Sequence, residues 1–141
     1  KNGISWRQSV YYPLYFASLY GRGESLQLKI NSPKYSSDIA DDVNYVDASA
    51  VINEEEKTLS FFIINRSEEE SVDLDFDINN LPIIKIIDQQ IINHTNIYAS
   101  NTINKPNEIV PKKTNIATFQ NENLIVKIPK LSYLFILLKI K

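Results

Sequence analysis

The chain has no cysteine and no methionine, one histidine, one tryptophan and only three glycines among its 141 residues. Each shortage closes a class of function. Without cysteine there is no disulfide framework and no thiolate metal site, and a reducing compartment is permitted. With a single imidazole, His94, a zinc site lacks ligands, and no metal or other cofactor is expected. A nucleophilic serine has no other imidazole to activate it, and none sits in a glycine-flanked strand-turn-helix elbow. His94, within Asn93-His94-Thr95, therefore reads as a turn residue with a structural hydrogen bond. Charge of one sign is also scarce: 15 basic against 17 acidic residues leave a net charge of -2. No basic field exists to attract a nucleic acid or an anionic membrane. Long hydrophobic runs are missing too. Leu134 to Leu138 is far too short to span a bilayer, and no apolar run follows Lys1 and Arg7 as a signal peptide would require. A cytoplasmic protein is the expectation.

What is present suffices for one folded domain. Hydrophobic residues make up 43% of the chain, enough for a core. Abundant asparagine, isoleucine and lysine match the usage of an AT-rich bacterial genome. Trp6 to Tyr20 predicts a helix, with Ser5 as N-cap, Val10, Leu14, Ala17 and Ser18 at helical spacing, and Gly21 and Gly23 ending it. Pro13 predicts a kink near Tyr12 or a new turn there. Beyond Gly23 the period becomes twofold. Leu26, Leu28 and Ile30 alternate with polar residues as in a half-buried strand, and Ser32-Pro33 stops it. Further strands are expected at Tyr45–Ile52, Thr58–Asn65, Ser71–Ile78, Ile83–Ile92 with a break near Asp88, Ala117–Phe119, Leu124–Ile128 and Tyr133–Ile140. Thr58–Asn65 is apolar enough for a sheet centre buried on both faces. Residues 93–115 predict a long irregular connection, with room for a short strand. One leading helix followed by about eight short strands makes the fold mainly β: an antiparallel, jelly-roll-like β-sandwich preceded by one N-terminal helix.

Several constellations invite a chemical reading. Asp38, Asp41, Asp42 and the runs Glu54–Glu56 and Glu68–Glu70 are plentiful carboxylates, but they cluster in charged turns. No burial there would raise a pKa for glycoside hydrolysis. Asp73, Asp75 and Asp77 share one strand face, about 7 Å apart from the strand rise. The row can contribute to a calcium site with loop carbonyls, or form a solvated face that discourages edge pairing. Asn65-Arg66-Ser67 and Asn93-His94-Thr95 match the N-glycosylation acceptor pattern, a cheap match in an asparagine-rich chain. Trp6, Tyr11, Tyr12, Tyr15, Phe16 and Tyr20 crowd the first twenty residues. Such rings stack on sugars in carbohydrate-binding modules. They also wrap most of the way round one helix, and a helix apolar all round is buried or belongs against another domain.

Three further runs add to these residues. Trp6-Arg7-Gln8, then Tyr11-Tyr12-Pro13 and Tyr20-Gly21-Arg22-Gly23, resemble the end of the catalytic barrel in glycoside hydrolase family 51 α-L-arabinofuranosidases. The resemblance continues in order through Ser32-Pro33-Lys34-Tyr35, Tyr45-Val46-Asp47-Ala48, Phe62 to Ser67, and Ala99-Ser100-Asn101-Thr102 with Asn104, Pro106 and Val110-Pro111. It implies a (β/α)8 barrel followed by a jelly-roll domain, with both catalytic glutamates of a retaining mechanism upstream in the barrel. On that reading residues 1–23 are the last loop and helix of the barrel, and residues 24–141 are the C-terminal β-sandwich. No catalytic residue is expected in the chain itself. The implied partners are the barrel, an arabinose-containing polysaccharide or oligosaccharide in the parent enzyme, and a second copy through the aromatic helix. One substrate contact carries over. The motif's glutamine, Gln8, is expected to hydrogen-bond the arabinose ring, because barrel active sites are built from such loops and an amide both donates and accepts. Outside a barrel, Gln8 would be an exposed or helix-capping residue. The rival readings are a free-standing carbohydrate-binding module and a self-association domain.

Overall fold

The computed structural model describes residues 3–78, 80–121 and 123–141. One helix, α1 (Tyr11–Tyr20), precedes eleven strands among these residues. They are β1 (Glu24–Leu26), β2 (Lys34–Tyr35), β3 (Val43–Asn44), β4 (Val46–Asn53), β5 (Thr58–Asn65), β6 (Val72–Asp77), β7 (Ile83–Asn93), β8 (Lys112–Lys113), β9 (Ala117–Gln120), β10 (Asn123–Ile128) and β11 (Ser132–Ile140). A six-stranded sheet runs β1-β4-β5-β11-β7-β8, a three-stranded sheet runs β6-β10-β9, and β2 pairs with β3. Every pairing is antiparallel. The chain passes between the two larger sheets from β5 to β6, from β6 to β7, from β8 to β9 and from β10 to β11, as in a jelly-roll-like sandwich.

The period of two explains why the central strands are so apolar. Along β11, Leu134, Ile136, Leu138 and Ile140 face the three-stranded sheet. They meet Leu124, Val126 and Ile128 of β10 and Leu59, Phe61 and Ile63 of β5 in one buried cluster. The alternate residues Tyr133, Phe135 and Leu137 point to the opposite face, where α1 lies. A strand covered on both sides needs apolar residues at both parities. Gln89 adds a polar tie between the sheets. Its side chain donates to the Ala117 carbonyl at 2.9 Å and accepts the Ala117 N–H at 2.8 Å.

The helix differs from expectation at its start. It begins at Tyr11, not Trp6, and Ser5 caps nothing: the N-cap is Val10, with no side-chain hydrogen bond. Pro13 consequently falls in the first turn, where a missing N–H breaks no intrahelical bond, so no kink is needed. Gly21 does end the helix, through its N–H to the Ala17 carbonyl at 2.8 Å, but at φ -91° rather than in the left-handed region. The left-handed position is Gly23, at φ +137°, where a Cβ would run into the Ile52 carbonyl. The twofold pattern after Gly23 also pairs for less of its length than expected. Only Glu24–Leu26 joins β4, although Leu28 and Ile30 stay half-buried. The irregularity expected near Asp88 is a shift in register between β7 and β11, not an end of the strand.

Candidate functional site

The candidate site lies where the N-terminal segment crosses the outer face of the six-stranded sheet. Tyr12 and Phe16 are one helical turn apart and both buried, and Tyr20 follows one turn later. Phe16 stacks on Phe135 with ring centroids 4.6 Å apart and planes at 7°. Tyr20 stacks on the same Phe135 ring at 5.0 Å. This face docks α1 on the sandwich, so the helix is not a loose leader. Its other face stays bare. Val10 is 62% exposed and Leu14 65%, with Tyr15 and Leu19 also exposed.

Residues 3–8 form neither helix nor strand, yet they are held. The Trp6 indole N–H donates to the Asn101 carbonyl at 2.9 Å. Asn101 is 1% exposed, and its carboxamide nitrogen donates to the carbonyls of Arg7 and Ile109, both at 2.8 Å. Its Oδ1 accepts the Ile109 N–H at 2.7 Å. The Arg7 guanidinium sits 4.8 Å from the centre of the Tyr11 ring, a cation–π contact. Gln8 follows, its carbonyl accepting the Tyr11 N–H at 3.0 Å while its residue surface stays exposed. The backbone on both sides of Gln8 is thus held, with the residue itself exposed. Sequence reasoning singled out Gln8 through the motif and did not single out Asn101, which bonds the two residues before it. The partners lie 94 and 95 positions apart, beyond any local pattern.

Beside this segment lies a groove of about 480 Å³, lined by Val10, Pro13, Ile64, Arg66, His94 and Tyr133 among others. It is mostly hydrocarbon. Burial pushes the Tyr133 phenol above its ordinary value, so it stays neutral. His94 is occupied locally: Nδ1 accepts the Asn96 N–H at 3.0 Å, and Nε2 faces Glu108 at 3.5 Å. The turn reading of His94 holds.

The other motifs separate. Asn65 cannot be a glycan acceptor, being 1% exposed. Its amide nitrogen donates to the carbonyls of Glu70, Ile128 and Pro129, and its oxygen accepts the Ser67 N–H. Asp73, Asp75 and Asp77 line the exposed face of β6, an edge strand, and Asp75 accepts a hydrogen bond from Asn123 at 2.7 Å. No group of three or more metal-ligating side chains comes together among the described residues. The acidic turns of Glu54–Glu56 and Glu68–Glu70 are exposed. No helix among the described residues is long and apolar enough to cross a membrane.

Residues 1–132 match the family model described as the α-L-arabinofuranosidase C-terminal domain. The chain belongs to this family. An intracellular exo-α-(1→5)-L-arabinofuranosidase of Bacillus subtilis is 37% identical over 139 residues, 99% of this chain but 27% of that protein. The protein of the same description from Halalkalibacterium halodurans is 33% identical over 133 residues, 94% of this chain and 26% of its own length. A solved family 51 α-L-arabinofuranosidase from Bifidobacterium longum superposes with a TM-score of 0.87 at 24% identity, over 99% of this chain and 26% of that one. That last likeness speaks for the fold. The chain thus spans about a quarter of the length of these relatives.

Proposed function

We propose that the chain is the non-catalytic β-sandwich portion of an α-L-arabinofuranosidase. Residues 1–23 bring a substrate-contacting loop and helix up to a catalytic barrel, and residues 24–141 are the sandwich that holds them. The observation that carries the reading is the pinned Trp6-Arg7-Gln8 segment beside a helix with one face docked and one bare. A barrel against the bare face would cover Val10, Leu14 and Leu19, since large apolar patches rarely stay in water. Gln8 would then hydrogen-bond an arabinofuranosyl ring. The barrel would provide the acid/base and nucleophile carboxylates of a retaining hydrolysis. The substrate class is arabinan or arabinoxylan, with terminal arabinofuranosyl groups released, and relatives named for exo action at α-(1→5) linkages favour an α-(1→5)-linked arabinan chain. Those relatives are also described as intracellular, which supports a cytoplasmic enzyme.

The test is turnover of 4-nitrophenyl α-L-arabinofuranoside. The 141-residue chain should show none, and the full-length enzyme carrying it should be active and lose kcat/KM on Gln8→Ala by about a hundredfold. Hydrolysis by the pure chain that vanishes when its own acidic residues are replaced would overturn the reading. Saturable binding of arabino-oligosaccharides to the chain alone, abolished by Trp6→Ala, would favour a carbohydrate-binding module instead. Concentration-dependent dimers lost on Leu14→Glu would favour a second copy as the cover of the bare face.

A further inference from the structure

We infer that Asn101 is a positioning residue for the sugar-contacting segment: its buried carboxamide ties Arg7 to Ile109 of the long β7–β8 connection, its main-chain carbonyl receives the Trp6 indole, and together these set where Gln8 stands. The geometry is specific. One side chain, 1% exposed, uses both amide hydrogens and its oxygen on backbone groups of two segments. Its own carbonyl receives the Trp6 indole as a fourth bond. A buried amide with all these bonds made is expensive to disturb, because each lost partner leaves a desolvated polar group unpaired. Trp6 and Arg7 immediately precede Gln8, whose carbonyl in turn receives the Tyr11 N–H at 3.0 Å. Backbone freedom at Gln8 is therefore restrained from one side by Asn101 and from the other by α1. The connection that carries Asn101 is otherwise irregular between Asn93 and Lys112. Its Ile109 is buried in the cluster under α1, so the loop is anchored to the same outer face.

The inference rests on the reading that Gln8 meets the sugar, but the locking itself can be read without it. Trp6 is the only tryptophan in the chain, so its emission reports the docking of residues 3–8 directly. Asn101→Asp keeps the shape and the acceptor for Ile109 while removing the donors to Arg7 and Ile109. In the 141-residue chain this variant should shift Trp6 emission to the red and raise its quenching by acrylamide. Amide protection in β5, β10 and β11 should remain. Asn65→Asp, the matched loss at the other buried asparagine among the described residues, should leave Trp6 emission unchanged at temperatures where circular dichroism shows the chain folded. Unchanged emission in both Asn101→Asp and Asn101→Ala would overturn the inference, and so would an equal shift from Asn65→Asp.

In the full-length enzyme, Asn101→Asp should lower kcat/KM for the aryl arabinofuranoside by about tenfold or more, chiefly through kcat, because misplacement costs the transition state most. Joined to Gln8→Ala it should add little further loss, since both changes remove the same contact. A full effect of Gln8→Ala with none from Asn101→Asp refutes the positioning role. No effect of Gln8→Ala, with Trp6 released by Asn101→Asp, refutes the Gln8 reading and leaves the lock standing.

Discussion

The two faces of the six-stranded sheet are built from the same strands by different chemistry. The inner face is mainly aliphatic: Leu134, Ile136 and Leu138 are each fully buried against β10 and β5, with a Phe61–Phe76 ring contact among them. On the outer face the packing is aromatic, with Phe16, Tyr20, Tyr133, Phe62 and Phe135 in ring contact, and Tyr133 and Phe62 only half-buried. Branched aliphatic chains interdigitate between two sheets and hold one arrangement. Flat rings give a single short helix a broad seat, and stacked pairs add about 1 kcal/mol each beyond the area they bury. The inner face therefore makes the domain, and the outer face presents a segment.

Removing a large side chain from each face breaks the comparison open. Ile136→Ala should cost about 4 kcal/mol of global stability, a cavity in a site that cannot collapse. It should lower the midpoint of denaturant unfolding and release all slow-exchanging strand amides together. Phe16→Ala removes more atoms but should cost less, about 2 kcal/mol, because Phe16 anchors one short helix that can open locally without unfolding the sandwich. Its signature is local. Amides of α1 should exchange faster while those of β5 and β11 keep their protection. Equal, global losses from the two variants would show that helix and sandwich unfold as one unit.

The sheet edge on the outer side offers a smaller test. Asp88 of β7 receives the Lys113 ammonium from β8 at 2.5 Å and the Gln90 amide at 2.8 Å. Burial opposes its ionisation, but Lys113 and Gln90 outweigh that and hold the carboxyl below the usual carboxylate range. A depressed folded-state value means stability that is complete above the unfolded value, about pH 4, and lost as pH falls through the folded one. Below about pH 4 the amides of residues 112–114 should exchange faster, relative to those of β10, than they do at pH 6. Asp88→Asn should remove that difference. Lys113 is largely exposed, so the pair is screened and the effect small.

How much of this was legible depended on how local each cause is. Thr58–Asn65 was read with both ends right, because the apolar run ends at a charged turn on one side and at the Asn65 turn on the other. The inward set Val72, Leu74, Phe76 and Ile78 is likewise visible in the period of two. The helix start was not. Trp6 and Val10 are spaced like a helix, but Trp6 and Arg7 bond to Asn101, 95 and 94 positions away, and that competes with helical pairing. Leu28 and Ile30 alternate as a strand does and keep that burial, yet beyond Leu26 no further ladder to β4 forms. Gln8 came from the resemblance alone. Asn101 lay within the same resemblance, but a buried amide and a surface-loop amide look alike in sequence.

The smallest expected effect also separates the faces. Ser60 lies on the outer face of β5, opposite Leu137 in the ladder to β11, and is 1% exposed. Its hydroxyl has no hydrogen-bond partner among the described residues. A desolvated hydroxyl without a partner costs free energy that a methyl group would not. Ser60→Ala should therefore raise stability by about 0.5–1 kcal/mol, read as a higher urea midpoint at unchanged m-value. On the inner face the same logic runs the other way. There Gln89 makes both of its bonds to Ala117, and Gln89→Ala should destabilise by leaving that backbone pair buried and unmatched. A loss of stability in Ser60→Ala would mean that the hydroxyl is satisfied, and that the outer face tolerates no polar mismatch where it is covered by rings.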